Sequence, residues 1–247
     1  MAKQKIEHGF ILAAGKGTRL RPYTDHLPKP MVSVWGKPII AHTVEKLMQE
    51  GVQKVTINLF YLGDRIKNYF SRNNAIPVIF SEETELLDTG GGVLNALSTM
   101  EDKAFFLING DALWEDDETS STSSLEDLSR EWDEEKMDIL LLLQPVTSMN
   151  LTQGVGDYDL DSEGRAKRNH NQKGQYMFTG VRITHPHIFK GLDVHPFSFL
   201  ELMDKAEAHG RLYGQIHKGI WHHINTAEDL EAVNKAKGYE IKAESSI

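Results

Sequence analysis

The densest chemistry in the chain lies in "ILAAGKGTRLRPYTDHLPKPM", residues 11–31, where an apolar run leads into Ala13, Ala14, Gly15, Lys16, Gly17 and Thr18. Arg19, Arg21 and Lys29 follow closely. Small residues and glycines let a backbone approach a ligand, and consecutive N–H groups form an anion cradle. Cations just beyond would neutralise several phosphate charges. The pattern is neither G-x-G-x-x-G nor the Walker sequence G-x-x-x-x-G-K-[ST]. The bland alternative is a strand-to-helix turn with surface cations. Asp111, in "LINGD", ends another apolar run, the edge at which open α/β sheets take ligands. "LLDTGGG" (86–92) places three glycines in succession, which is costly in backbone entropy and points to ligand contact at Thr89, Gly90 and Gly91. The competing reading is a strand–turn–helix start capped by Thr89. "WHHIN" (221–225) carries two adjacent histidines. Neighbours in a strand point to opposite faces, so His222 and His223 cannot readily share one metal.

Short apolar runs position these residues. "HGFILAA" (8–14), "VTINLF" (55–60), "PVIFSEE" (77–83), "AFFLINGD" (104–111) and "DILLLLQPV" (138–146) read as buried strands. Between them "KPIIAHTVEKLMQEG", "LGDRIKNYFSR" and "GGVLNALSTM" read as helices, the first with Pro38 near its start and Gly51 as its stop. This alternation predicts an α/β fold of Rossmann-like type: a mostly parallel mixed sheet with helices on both faces. After about residue 150 the rhythm changes to a hairpin turning at 162–164, a strand at 176–184, a helix at 197–210 and two strands in 211–225. A last helix starts at Thr226, with Asp229 three residues on as a capping box. The second part reads as a smaller lobe built onto the first. The expected organisation is one domain over 1–247, about 1–150 for one ligand and 151–247 for the other.

The chain has no cysteine, so disulfides, thiolate metal sites and cysteine nucleophiles are excluded. Ten acidic residues and one arginine between Glu115 and Glu135 account for the whole net charge of −9, which argues against nucleic-acid binding. That segment reads as a solvated surface excursion containing a serine-capped helix, "SSLEDLSREW". Asp116 and Asp117 are assigned to this surface. No apolar run approaches the roughly 20 residues that span a bilayer, and the start lacks the apolar core of a secretory signal, so a cytoplasmic address and no membrane partner are expected.

"LAAGKGTRLRP" followed by "PKPMVSVWGKPII" strongly resembles the signature of the sugar-1-phosphate nucleotidyltransferases. The resemblance continues in order through "EETELLDTGGGV", "LINGD", "YMFTGVRI" and "WHHINT", from about residue 9 to 236. Within the family, "TGGG" and the short length look closest to the N-acetylmuramate 1-phosphate uridylyltransferases, and the chain has no room for a C-terminal β-helix domain. The resemblance implies that a nucleoside triphosphate and a sugar 1-phosphate, UTP and N-acetylmuramate 1-phosphate in that subgroup, form a nucleotide-diphosphate sugar of cell-wall supply and pyrophosphate. It implies that Leu12 to Thr18 hold the nucleotide and that Arg19 stabilises the departing pyrophosphate. Lys29 would bridge the α-phosphate and the sugar phosphate. Glu83 would contact the base or fix its loop, with Thr89, Gly90 and Gly91 beneath the base. Asn109 would support or contact the nucleotide sugar. Asp111 would coordinate Mg²⁺, and Asp157, Thr179 and Gly180 would meet the sugar, or else serve a hairpin and a strand contact. Arg21 matches more loosely.

The family segment reads like W-x-D-x-G-T, with the aspartate as a second metal ligand. Here His223 stands for that aspartate and Asn225 for the glycine. Neutral imidazole is a poor Mg²⁺ ligand but a good one for Mn²⁺ and softer ions. Three outcomes follow: His223 contacts phosphate while Asp111 holds Mg²⁺; it binds another divalent metal; or the protein is a catalytically weakened, nucleotide- or sugar-phosphate-binding regulator.

Overall fold

The structure is a computed structural model that describes residues 5–73, 75–149, 151–152 and 154–240. Along the chain the first strands and helices are β1 (His8–Leu12), β2 (Ser33–Val34), β3 (Lys37–Pro38), α1 (Ile39–Gln49), β4 (Lys54–Leu59), α2 (Gly63–Arg72) and β5 (Val78–Glu82). Then come α3 (Asp88–Ala96), β6 (Phe105–Asn109), β7 (Trp114–Glu115), α4 (Ser124–Glu131) and β8 (Ile139–Pro145). The remainder is β9 (Tyr158–Leu160), β10 (Ala166–Arg168), β11 (Tyr176–Thr184), α5 (Phe199–Ala208), β12 (Leu212–Ile216), β13 (Ile220–Trp221) and α6 (Ala227–Ala236).

The strands β6, β1, β4 and β5 lie side by side and parallel, with Ile11 in register with Ile108 on one side and Ile57 on the other. Their side chains are apolar on both faces because helices cover both, as parallel sheets require. The antiparallel β11 extends this sheet beyond β6 and also pairs with β8, which in turn pairs with β12 in parallel. The β9–β10 hairpin joins through Tyr158 and Tyr176. Its turn carries Gly164 at φ +79°, within the expected 162–164. The fold is therefore a mostly parallel mixed sheet between helices, and the part after residue 150 continues the same nine-stranded sheet.

One face of the sheet packs Ile11, Ile57 and Ile108 against Val44 and Leu47 of α1, Ile66 and Phe70 of α2, and Leu125 and Leu128 of α4. The other packs Phe10, Leu107 and Leu141 against Val93 of α3 and Phe199 and Leu202 of α5. A third cluster joins Leu20, Val34 and Ile39 to Ile224, Leu230 and Val233. Trp35 ties this last group together: its backbone N–H donates to Asn234 Oδ1 and its indole N–H to the Val233 carbonyl, both at 3.0 Å. α6 begins with the expected capping box of Thr226 and Asp229. It thereby seats residues 222–225 beside the 13–31 loop, two segments two hundred residues apart in sequence.

The acidic segment corrects its reading as a solvated excursion. Ser123 does cap α4, accepting from the Glu126 N–H at 3.0 Å. Leu125, Leu128 and Trp132, however, are buried at 1%, 0% and 6% exposure, so this helix is part of the core. Asp116 is equally structural, taking both the Ser124 N–H (2.9 Å) and the Lys46 ammonium (2.5 Å).

Candidate active site

The carboxyl ends of β1 and β6 open into a cleft of about 340 Å³. Its walls include Ala13, Gly15, Arg19, Lys29, Asn109 and Asp111. After β1 the chain bends through Gly17 at φ +60°, where a side chain would meet Lys29 Cβ at 2.7 Å; only glycine fits. Thr24 fastens the bend by donating its hydroxyl to the Gly17 carbonyl at 2.9 Å. Gly15, Lys16, Thr18 and Arg19 are left exposed. Within Leu12 to Thr18, Lys16 is the residue that does not line the cleft. Arg21 instead pairs with Asp25 on the surface at 3.2 Å.

Lys29 Nζ meets Asp111 Oδ2 at 2.6 Å, with side-chain exposures of 12% and 38%. Burial opposes ionisation of Asp111, but the Lys29 ammonium outweighs it and holds the carboxyl below its ordinary value. His223 lies near enough to feel this pair. Burial pushes its imidazole down, Asp111 pulls it up, and Lys29 and Arg19 push it down again, leaving it below its ordinary value. Its Nε2 accepts from the Asn225 side-chain amide, and its backbone N–H donates to Thr152 Oγ1 at 3.0 Å. From this segment Asn225, not His223, lines the cleft. His222 lies apart: 2% exposed, it meets Glu115 Oε1 at 3.0 Å and sits edge-on to Trp35. The two histidines thus have separate surroundings. Among the described residues no group of three or more His, Cys, Asp or Glu is arranged to hold a metal ion.

The segment from Glu83 into the first turn of α3 requires corrections. Gly90 and Gly91 are buried, and both N–H groups donate to the Phe197 carbonyl, at 2.9 and 3.2 Å. A Cβ on Gly90 would lie 2.3 Å from the Phe197 ring, and one on Gly91 2.2 Å from the His195 carbonyl. These glycines provide close packing between α3 and the segment before α5, and their amides are not free for a base. Thr89 does line the cleft, while its hydroxyl accepts from the Phe199 N–H at 2.8 Å. Glu83 is 8% exposed and does not reach the cleft; it fixes the loop by accepting from the Leu87 N–H at 3.0 Å and the Asn58 amide at 2.7 Å. Burial pushes the Glu83 carboxyl up against those two hydrogen bonds. Asn58, unremarked in the sequence, also accepts from the Ala13 N–H at 2.8 Å. That amide is therefore spent on structure, and the two walls of the cleft share one polar tie.

On the far side of β6, Thr179 is 1% exposed and donates its hydroxyl to the Leu142 carbonyl at 2.7 Å. It fills the irregularity where the β11–β8 register shifts between Phe178 and Arg182. Thr179 is thus a strand-packing residue, not a free hydroxyl for a sugar. Gly180, at φ +76°, leaves room for Asn109, whose amide would be 2.7 Å from an added Cβ. Asp157 accepts from the Phe178 N–H at 3.1 Å, and burial pushes its carboxyl up. None of the three lines the cleft.

A preformed loop for phosphates, a lysine–aspartate pair and a floor at the ends of parallel strands suit transfer between phosphates, which depends on positioning and charge neutralisation. The comparisons agree. Residues 8–238 match the family model described as nucleotidyl transferase. The chain is 31% identical over 221 residues to an N-acetylmuramate alpha-1-phosphate uridylyltransferase of Caulobacter vibrioides, covering 87% of this chain and 90% of that protein. It is 29% identical to the protein of the same name from Neisseria meningitidis, covering 93% and 97%. HddC from Yersinia pseudotuberculosis, solved with GMP-PN, superposes with a TM-score of 0.74 at 26% identity, over 94% of this chain and all of that one. The chain belongs to the nucleotidyl transferase family, among the sugar-1-phosphate nucleotidyltransferases.

Proposed function

We propose that the cleft joins UTP to N-acetylmuramate 1-phosphate. A phosphate oxygen of the sugar attacks the α-phosphorus of the nucleotide. The new O–P bond forms as the bond to the β-phosphate oxygen breaks, and its electron pair leaves on pyrophosphate. The sugar phosphate enters already deprotonated, so no general base is needed. The carrying observation is the Lys29–Asp111 pair at 2.6 Å, set beside the exposed 15–19 loop. Lys29, a compact point charge, suits a bridge between the α-phosphate and the sugar phosphate; Arg19, a planar fork, suits the leaving pyrophosphate. Leu12 to Thr18 enclose the nucleotide phosphates, while Leu86, Asp88 and Thr89 form the rim for the base and Asn109 the floor where the ribose and the incoming sugar meet. Residues up to about 150 serve the nucleotide and those beyond serve the sugar.

A divalent ion fits this site in one arrangement. Of the two carboxylates that line the cleft, Asp111 stands beside Lys29 and Asp88 on the rim, and His223 Nε2 is engaged by Asn225. That donor set suits Mg²⁺ held by one carboxylate, water and substrate phosphates, the usual manner of that ion. Mn²⁺ on His223 would require Asn225 to move away. When bound, the ion supplies neutralisation of the triphosphate charge. No helix among the described residues is long and apolar enough to cross a membrane. The reading takes the reaction as cytoplasmic and its product as one of cell-wall supply, the second from the muramate substrate that the two relatives' names carry.

The test is a matrix of four nucleoside triphosphates against several sugar 1-phosphates, each with Mg²⁺ and Mn²⁺, read by pyrophosphate release. UTP with N-acetylmuramate 1-phosphate should be the best pair, and Asp111→Ala should abolish turnover. Release from no pair refutes the reading.

A further inference from the structure

Arg182 is enclosed by the fold to 2% exposure on β11, on the same face as its sheet neighbours Leu107 and Leu141. Its guanidinium carbon stands 4.3 Å from the Phe199 ring centre and 5.4 Å from that of Phe178. Nη1 donates to Asn109 Oδ1 at 3.3 Å, and Nε is buried without a hydrogen-bond partner. Among the described residues no carboxylate forms an ion pair with it. Asp157 is committed to the Phe178 N–H. Aromatic faces recover part of the cost of burying this charge, but a Met or Leu would fill the space without that cost. The charge therefore has a use that packing does not supply.

Its one hydrogen bond shows where that use lies. Asn109 lines the cleft, pinned between Gly180 and Arg182, so the buried cation stands one side chain behind the floor. This point lies across β6 from β1 and its phosphate loop. The nucleotide phosphates already have Arg19 and Lys29, which leaves this third cation to act, through Asn109, on a different anion.

We propose that Arg182 is a specificity-determining residue that selects a sugar 1-phosphate carrying a carboxylate on a ring substituent, seated against Asn109. This rests on the sugar-1-phosphate reading above. A unit charge about 6 Å from a cation, at an effective dielectric near 20, gains roughly a hundredfold in binding.

The experiment compares N-acetylmuramate 1-phosphate with its methyl ester, which keeps the shape and removes the charge, and with a ring-phosphorylated analogue. Wild type should prefer the acid over the ester by about a hundredfold in kcat/KM. Arg182→Gln and Arg182→Met should erase that preference by raising KM for the acid, with the ester near its wild-type value, and Arg182→Lys should retain part of it. A preference for the ring phosphate over the acid would overturn the carboxylate assignment. Equal rates for acid and ester in wild type would overturn the inference with no variant needed, as would an equal loss on both in Arg182→Gln. Calorimetric binding of acid and ester, without UTP, separates the two readings. Arg182-dependent discrimination without turnover of any pair sinks the transferase reading alone; turnover without discrimination sinks this inference alone.

Discussion

Gly90→Ala discriminates between a packing glycine and a ligand glycine. The added methyl would sit 2.3 Å from Phe197 Cε2 and 2.6 Å from Cδ2. Phe197 is 7% exposed, and its carbonyl holds both glycine amides, so its ring has little freedom to withdraw. Overpacking of this kind costs about 1–3 kcal/mol, and contact this close belongs at the upper end. Alanine regains about 1 kcal/mol through its better helix propensity. The net loss is about 2 kcal/mol, a fall in Tm of roughly 4–8 °C for a chain of this size. Because the Phe199 N–H donates to Thr89, displacing Phe197 should also disturb the rim and raise KM for UTP. Phe197→Leu in the same background should recover part of both losses, with a coupling energy of about 1 kcal/mol or more. Calorimetric melts and UTP titrations of the four proteins complete the cycle. A Gly90→Ala protein that melts like wild type yet loses UTP affinity would refute the packing assignment.

Three further outcomes are expected. Arg182→Met should be more stable than wild type by about 1–4 kcal/mol in urea unfolding, since it removes a buried charge with no anionic partner. Asn58→Ala strips the Ala13 N–H and one oxygen of buried Glu83 of their partners; it should cost about 2–4 kcal/mol by the same assay and raise KM for UTP. Burial lowers His8 and His217 to about 4 from 6.5. Between those values the unfolded chain takes up protons that the folded chain refuses. Stability should therefore be full above pH 6.5 and fall as pH drops toward 4, by at most about 3 kcal/mol for each histidine. Urea midpoints from pH 7.5 to 4.5 read the slope, and His8→Gln should flatten it.

The parallel strands were legible because each is a short run apolar on both faces, and α6 because its cap is written in Thr226 and Asp229. The paired two-residue strands β7 and β13 leave no comparable period. The serine-capped helix within 115–135 was legible, but the charges around it obscured the burial of Leu125 and Leu128 in the core. The misread glycines have a different cause. What crowds Gly90 and Gly91 is the 195–197 segment, about a hundred residues further on, and local sequence carries no sign of it. Asn58 and Arg182 did leave a signal: a lone amide in "VTINLF" and a lone cation in "YMFTGVRIT", each polar within an apolar strand.

The link from Ala13 through Asn58 and Glu83 to Leu87 bears on how the nucleotide preference of this scaffold can be exchanged. The 83–89 rim is keyed to a side chain on β4, and that side chain is keyed to the phosphate loop. On the proposed reading, a rim transplanted from a relative with a different base would arrive without its matching residue at 58, leaving either an orphaned carboxylate or an unpaired amide at Ala13. The transferable unit is thus three segments, and a graft of the visible loop alone should fail by loosening the half of the site it leaves untouched.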